Sequence, residues 1–323
     1  MNWITRWKKI GIKVKQIFKK QPLGQEATDW KNCPQCKKIS YKPDLFNNSY
    51  ICECTFHFDL PPKLRLDSLF DSTYEFIEPT DNIDPDPLNF EVKDGAREGY
   101  KYINKIKKYR KITGQQTALL CAYGNISDLS AVVVCFNPKF GAGRFGPAEN
   151  EHFLKAANLA VKEKVDVWVV IYQSSGIDVH TGVTGLVGMT KSIIAMDEIK
   201  KAGIPTFAIA ARAVAGGTYA SSFFQHDFII IESKSVENLL FSGKRVTSNI
   251  LKGTDQIPED FGTGPGVMKA GLADMTLESR KELKETLLKL AKIILKKEEF
   301  ITENVEEAYE NQKDFKKTAS TTS

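Results

Sequence analysis

Apolar and polar positions fall in blocks along this chain, and the blocks repeat. The most apolar is Val167-Trp168-Val169-Val170-Ile171-Tyr172, β-branched and aromatic and of the length of a buried strand. It breaks at Ser174-Ser175-Gly176, after which small and apolar residues run without proline into Ile193, Ile194 and Met196, the pattern of a helix. The order strand, Ser/Gly turn, helix recurs: Ile204 to Ala211 is a second apolar block, closed by Ala215-Gly216-Gly217 and followed by TYASSFF. A glycine-rich segment, Phe140 to Gly146, precedes both, and residues 147–164 read as a helix with Phe153, Ala156, Leu159, Ala160 and Val161 on its apolar side. Ahead of them, TALLCAYGNI and SAVVVCFNP are adjacent apolar blocks around a turn at Asn125–Asp128, a predicted hairpin. Asp227 to Glu232 is another strand, Ser242-Gly243 a turn before a helix, and Gly266 to Met275 a short helix and turn. A last helix over 278–297 carries Leu283, Leu287, Leu290 and Ile294 on one face. Repeated strand–strand–helix units with glycines at the turns predict an α/β spiral over 116–298.

The chain before this domain has other periods. Trp3, Trp7, Ile10, Val14 and Ile17 recur at helical spacing among seven basic residues, Arg6, Lys8, Lys9, Lys13, Lys15, Lys19 and Lys20. Residues 1–28 are therefore expected to hold a basic amphipathic helix, read as packing on protein in preference to a membrane surface. Over 61–115, Leu64, Leu66, Leu69 and Phe70 predict a short helix, Pro79, Pro85 and Pro87 an extended connector, and Gly95 to Ile112 a helix. The polar tail over 299–323 is expected to be disordered.

Cysteine spacing marks a separate module over 29–60. Cys33 and Cys36 are spaced C-x2-C, Cys52 and Cys54 C-x-C, and Asn47-Asn48 between them reads as a hairpin turn. Two cysteine pairs at the ends of a hairpin are the pattern of a zinc ribbon, since tetrahedral zinc takes four thiolates. The second pair is one residue short, which leaves His57 as a substitute ligand. A module this small has no core of its own, so the metal would supply its folding free energy.

Composition narrows the classes. The chain has 323 residues, 42% hydrophobic, with a net charge of +5, ample for a sizeable core and too weakly basic to call for nucleic acid. No run approaches the ~18 apolar residues of a membrane helix. The first twenty residues lack a secretory pattern, and metal-like cysteine spacing fits a reducing cytoplasm. No G-x-G-x-x-G with a following acid, Walker A or G-x-S-x-G motif is present.

The glycine turns carry the candidate chemistry. Glycine at such a turn lets backbone approach a ligand, and the first N–H groups of a helix lack internal partners, so the turn can hold an oxyanion or carbonyl oxygen. For one turn a plain βα connection is the simpler account; three in succession favour a site.

From about Trp30 to Leu295 the order of these features resembles the β subunit of the bacterial acetyl-CoA carboxylase carboxyltransferase. The family's cysteine ribbon matches CPQC and ICECTFHF, and its connector matches Asp86-Pro87-Leu88 and Thr113-Gly114. Its S-G-G-A-R-M-Q-E-G stretch is similar to Ser175 to Gly182, its T-G-G-V-x-A-S to Ala215 to Ser221, and its F-A-G-P-R-V to Phe241 to Val246. Its P-E-G-F and H-G-x-x-D are similar to Pro258 to Phe261 and Ala270 to Asp274. The sequence departs from the pattern at one glycine after Ser175, at Ile177-Asp178 in place of Ala-Arg, and at Gly141 to Gly146 in place of Gly-Gly-Ser-Met-Gly.

The resemblance implies a crotonase/ClpP-like ββα spiral. It implies transfer of CO₂ from carboxybiotin, held on a separate biotin carboxyl carrier protein, to acetyl-CoA, giving malonyl-CoA, with a carboxyltransferase α subunit as partner in an α2β2 assembly. Backbone amides of Gly176, Ile177, Gly216 and Gly217 would then hold the enolate and ureido oxygens. Gly143, Arg144, Ser175, Lys244 and Arg245 would lie at the substrate, Arg144, Lys244 and Arg245 either at CoA phosphates or in solvent. His180 reads as a replacement within the altered turn in preference to a general base. The alternatives are a non-catalytic paralogue that keeps the fold and the α-subunit interface, and a carboxyltransferase for another acyl thioester.

Overall fold

The computed structural model describes residues 29–94, 97–234, 236–250 and 257–295, and among these not the side chains of 92–98, 244 and 245. The expected N-terminal amphipathic helix and the polar tail lie outside the described residues.

The cysteine module opens with β1 (Trp30–Asn32) paired antiparallel to β2 (Ile39–Tyr41), Trp30 opposite Tyr41. CPQC forms the turn, closed by the Cys33 N–H donating to Lys38 O at 2.8 Å. The predicted hairpin at Asn47-Asn48 is thus corrected: the hairpin closes on the first cysteine pair, and α1 (Lys42–Asn47) follows. Pro43 in its first turn has a φ preset for helix and no N–H to leave unpaired, and Asp44 suits the positive end of the dipole. The module's core is only Cys33, Leu45, Cys52 and Phe58.

The short helix α2 (Pro62–Leu69) forms as expected, followed by β3 (Glu75–Ile77). The helix predicted over 95–112 starts later. β4 (Glu91–Asp94) and β5 (Arg97–Lys101) pair antiparallel, and α3 spans Tyr102–Thr113. Glycines at 95 and 99 disfavour a helix there. Gly114, at φ +70°, ends α3.

The main sheet begins with the expected hairpin, β6 (Leu119–Ile126) and β7 (Leu129–Phe136), turned at Ser127, whose φ is +55°. A short β8 (Arg144–Phe145) lies in the glycine-rich loop, and α4 (Pro147–Glu163) leads to β9 (Val167–Ser174). Then come β10 (Gly176–Ile177), a 3₁₀ turn at Val179–Thr181, α5 (Val183–Lys201), β11 (Thr206–Ala215), α6 (Gly216–Ala220) and β12 (Phe228–Ile231). The chain closes with β13 (Leu239–Leu240), α7 (Lys244–Ile250), α8 (Gly264–Lys269), β14 (Met275–Thr276) and α9 (Leu283–Ile294).

The strand order is β14-β12-β11-β9-β7-β6-β3, antiparallel from β3 to β7 and parallel from β7 to β14, with β13 continuing beside the end of β11. Helices cover both faces, which is why the central strands read as unbroken apolar runs. Val132, Val134, Trp168, Val170 and Tyr172 pack with Phe153 of α4 and Met196 of α5. Val133, Cys135, Val169 and Ile171 face the opposite way, onto Leu66 and Leu69 of α2 and Leu283 and Leu287 of α9. Among the described residues no helix is long and apolar enough to cross a membrane.

Candidate functional site

The three glycine turns meet. β10 pairs parallel with β8, Gly176 beside Arg144 and Ile177 beside Phe145, and the Ser175 N–H donates to Ala142 O at 2.9 Å. Gly143, at φ +70°, lies so close behind β9 that a Cβ would stand 1.8 Å from Gln173 O. Gly176, at φ +110°, touches the next unit: a Cβ there would lie 2.8 Å from Ala215 O and 3.2 Å from Gly216 Cα. A Cβ on Gly217 would strike Ile177 Cγ1 at 2.2 Å. Only glycine fits these approaches. Ser174 ties the turns together, its Oγ donating to Gly143 O at 2.7 Å, accepting the Gly176 N–H at 3.1 Å and lying 3.1 Å from Thr218 Oγ1.

The four expected amide donors are not equivalent. The Gly176 N–H is taken by Ser174 Oγ, and the Gly216 N–H donates to Phe241 O at 3.2 Å. Those two glycines close the turns. Gly217, second in α6, has an N–H with no acceptor among the described residues, as helix starts leave such groups. It lies against Ile177, and Ser175 beside them is exposed. One expectation needs correcting. After Gly176 the chain makes β10 and a 3₁₀ turn before α5 starts at Val183, so no long helix begins at the first turn.

Arg144 is also not where a phosphate could reach it. It is 3% exposed, with Nη2 3.1 Å from Asp178 Oδ2 and 3.2 Å from Glu149 Oε2 and Nη1 donating to Tyr102 Oη at 3.1 Å. Burial opposes the guanidinium charge, but Glu149 and Asp178 outweigh it, so it stays charged. Asp178 also accepts from Tyr102 Oη at 2.7 Å and pairs with His180 Nδ1 at 2.8 Å. Burial, with Asp178, pushes the Tyr102 hydroxyl well up. The His180 ring stacks on Tyr102 at 4.0 Å. Glu149 accepts the N–H groups of Gly146 and Ala118, each at 3.0 Å. This buried network holds the Gly141–Gly146 loop against the Gly176 turn. Sequence reasoning missed Glu149 and Tyr102. Glu149 had a local signal, an acid three residues into a helix opened by Gly146-Pro147; Tyr102 had none. Lys244 and Arg245 open α7 after the Phe241–Gly243 turn, and their side chains lie outside the described residues.

Beside the turns lies an apolar stripe exposed among the described residues. Val179 is 82% exposed and Val183 72%, and Leu186, Val187 and Ile194 continue it along α5. Exposed aliphatics at this spacing mark a contact face.

In the cysteine module Cys33, Cys36, Cys52 and Cys54 form one cluster, all four sulfurs within 4.8 Å of one another. Cys33 Sγ is 3.6 Å from Cys54 Sγ, and Cys36 Sγ 3.7 Å from Cys52 Sγ. Tetrahedral thiolates about 2.3 Å from zinc stand about 3.8 Å apart, so the donor set fits that metal. The C-x-C pair completes the cluster, and His57 is not in it. Burial resists ionisation of Cys33, but the Cys36 and Gln35 N–H groups win and draw it down to about 7. Against the Phe56 N–H, burial and the neighbouring cysteines push Cys54 up to about 12.

The sequence profile of the carboxyl transferase domain family matches residues 103–321. The chain is 30% identical over 324 residues to the acetyl-coenzyme A carboxylase carboxyl transferase subunit beta of Pelagibacter ubique, covering 99% of this chain and 100% of that one. It is 30% identical over 284 residues to the protein of the same name from a Sulfurihydrogenibium species, covering 86% of this chain and 95% of that one. Among solved structures, a Pseudomonas malonate decarboxylase hetero-tetramer in complex with malonate superposes with a TM-score of 0.54 at 16% identity, over 71% of this chain and 80% of that one. The transcarboxylase 12S hexamer superposes with a TM-score of 0.52 at 18% identity, over 73% of this chain and 40% of that one. At these identities the structural likeness speaks for the fold, a ββα spiral.

Proposed function

This chain belongs to the carboxyl transferase domain family, and from that membership we propose that it is the β subunit of a biotin-dependent acetyl-CoA carboxylase carboxyltransferase. It moves CO₂ from carboxybiotin on a carrier protein to acetyl-CoA, giving malonyl-CoA for fatty acid synthesis. Besides the full-length likeness, the observation that carries this reading is the contact between the Gly176 and Gly216 turns, beside which the Gly217 N–H has no acceptor among the described residues. The chemistry asks little of side chains. Carboxybiotin, when bound, would supply both the CO₂ and a ureido base for the α-proton of the thioester. The protein's part is to hold a developing oxyanion with fixed donors and to exclude water. The Gly217 amide, with the Ile177 side chain packed against it, is the donor we assign to one oxyanion, and exposed Ser175 lies in the adjoining turn.

The exposed stripe of Val179, Val183, Leu186 and Val187 next to this turn fits a carboxyltransferase α subunit, which would complete the site in an α2β2 assembly. The four-cysteine cluster would hold zinc, which supplies folding free energy to the ribbon and no step of the reaction. Free Cys121 and Cys135, buried in the sheet, suit a reducing cytoplasm.

The test is transcarboxylation by this chain with its α subunit, carboxylated carrier and labelled acetyl-CoA. Malonyl-CoA formation that requires this chain supports the reading. A stable complex with the α subunit that turns over no thioester overturns it.

A further inference from the structure

The seam between the cysteine module and the spiral domain holds a cluster of buried charge that the transfer reaction does not use. Arg65 of α2 donates Nη1 and Nη2 to the two carboxylate oxygens of Glu232, at 2.6 and 3.0 Å. Arg280, just before α9, brings Nε to 3.2 Å from the same Glu232 Oε1 and donates Nη1 to Ser49 O of the cysteine module at 3.3 Å. Exposure is 2% for Arg65, 0% for Glu232 and 7% for Arg280. Two guanidinium ions therefore share one carboxylate away from water, and a buried charge without a counter-ion is costly. Asp59 acts on both arginines from further off but is itself paired with Arg212. His57, with neither ring nitrogen bonded, is held neutral and adds no negative charge. Burial outweighs the pull of Glu232, and with repulsion by Arg65 it leaves Arg280 down at about 10.

A cavity of about 370 Å³ opens beside this cluster. Besides the three charged groups it is lined by Lys281, Lys284, Ser49 and Tyr50. The other carboxylate on its wall, Asp67, is engaged by Lys63 and the Tyr74 hydroxyl. Lys281 reaches Asn48 Oδ1 at 2.7 Å and Lys284 pairs with Asp71, and both amines sit on the same rim. Four cations thus line the cavity, against Glu232 and Asp67 on its wall and Asp71 behind Lys284.

We propose that this cavity binds a small oxyanion, a carboxylate or a phosphate, which neutralises the surplus charge of Arg280 and fastens the cysteine module to the spiral domain. Arg280 presents a planar fork suited to either group. The ligand would touch the cysteine module through Ser49 and Tyr50 and the spiral domain through Arg280 and Lys284, so binding links the two. The site is separate from the glycine turns, and the proposal does not rest on the transferase reading.

The experiment is thermal unfolding and titration calorimetry of the full metal-loaded chain with sodium phosphate and, separately, sodium succinate, at ionic strength held constant with chloride. Saturable binding and a saturable rise in Tm are expected with at least one of them. Arg280→Met should weaken binding at least about tenfold, as removal of one charge-assisted hydrogen bond does. It leaves Arg65 and Glu232 as a neutral pair, so the chain should still fold. Lys281→Gln, which leaves the Lys284–Asp71 pair in place, should weaken binding without lowering Tm in chloride. A preference for phosphate points to a phosphate ester as ligand, a preference for succinate to a carboxylate. No saturable response to either anion, or a response that Arg280→Met leaves intact, overturns the proposal.

Discussion

At the residue scale the site depends on glycines that could not be anything else. Gly176→Ala places a Cβ 2.8 Å from Ala215 O at a φ of +110°, so the two turns must separate. A displacement of about 1 Å at the reacting atoms is enough for about a hundredfold loss of rate. We expect at least that fall in transcarboxylation by Gly176→Ala, with binding to the α subunit retained; unchanged kcat would mean that the contact between the turns is not needed. Arg144 tests the buried network in the same way. Arg144→Met leaves Glu149 and Asp178 buried without their shared cation. Breaking a buried pair from one side costs about 3–5 kcal/mol, to be read from urea unfolding. The glycines were legible in the sequence because glycine at the end of an apolar run has few other reasons to be there. The role of Arg144 was not. Whether an arginine after a glycine turn faces solvent or two carboxylates depends on Asp178, 34 residues further along, and on the local contact with Glu149.

At the element scale the strands and the main helices were legible, since each strand of the parallel core is apolar on both faces and ends in a polar or glycine break. The cysteine module was less so. Its spacing gave the four clustered cysteines, but with a core of four residues it has no hydrophobic period, and Pro43 opens α1 where a hairpin turn at Asn47-Asn48 was expected. That small core makes a metal prediction: chelation, or Cys52→Ser, should melt residues 29–60 in an early transition while the sheet keeps its own later one. A single unchanged transition after verified metal removal would show that the module folds without it. The stripe on α5 gives another. Leu186→Glu with Val187→Glu changes exposed positions only. The variant should unfold at the same temperature as the parent and lose the α-subunit complex in gel filtration; a complex of undiminished affinity would put the interface elsewhere.

At the scale of the whole molecule, the switch from antiparallel to parallel pairing at β7 brings strand ends and glycine turns to one edge, while the other charged seam is left at the cysteine module. The same packing that excludes water from the sheet also traps histidines. His226 is 6% exposed, its Nε2 has no partner among the described residues, and burial, against the pull of the Phe223 carbonyl and Asp227, pushes it down to about 4. His57 is pushed to about 4 as well, by burial and then by Arg280. Such a group is neutral in both states above about pH 6.5, so it takes nothing from stability there. As pH falls from about 6.5 towards 4 the unfolded chain binds a proton that the folded chain refuses, and stability is lost across that window. For His226 the full loss is on the order of 3 kcal/mol. Burial works against ionisation of Glu232, Asp67 and Asp71, but arginine and lysine partners, the tyrosine hydroxyl and the Ser127 N–H hold all three below their usual values. Their contribution is lost only below the ordinary carboxylate range, about pH 4.5. Between about pH 6.5 and 4.5 the fall in stability should therefore belong to the histidines. His226→Asn keeps a donor for Phe223 O and cannot charge, so its urea stability should fall less steeply than that of the parent across this window and run parallel to it above pH 7. Equal slopes for the two proteins would mean that His226 takes up its proton in the folded state after all, and that the end of the sheet near Tyr172 opens to water.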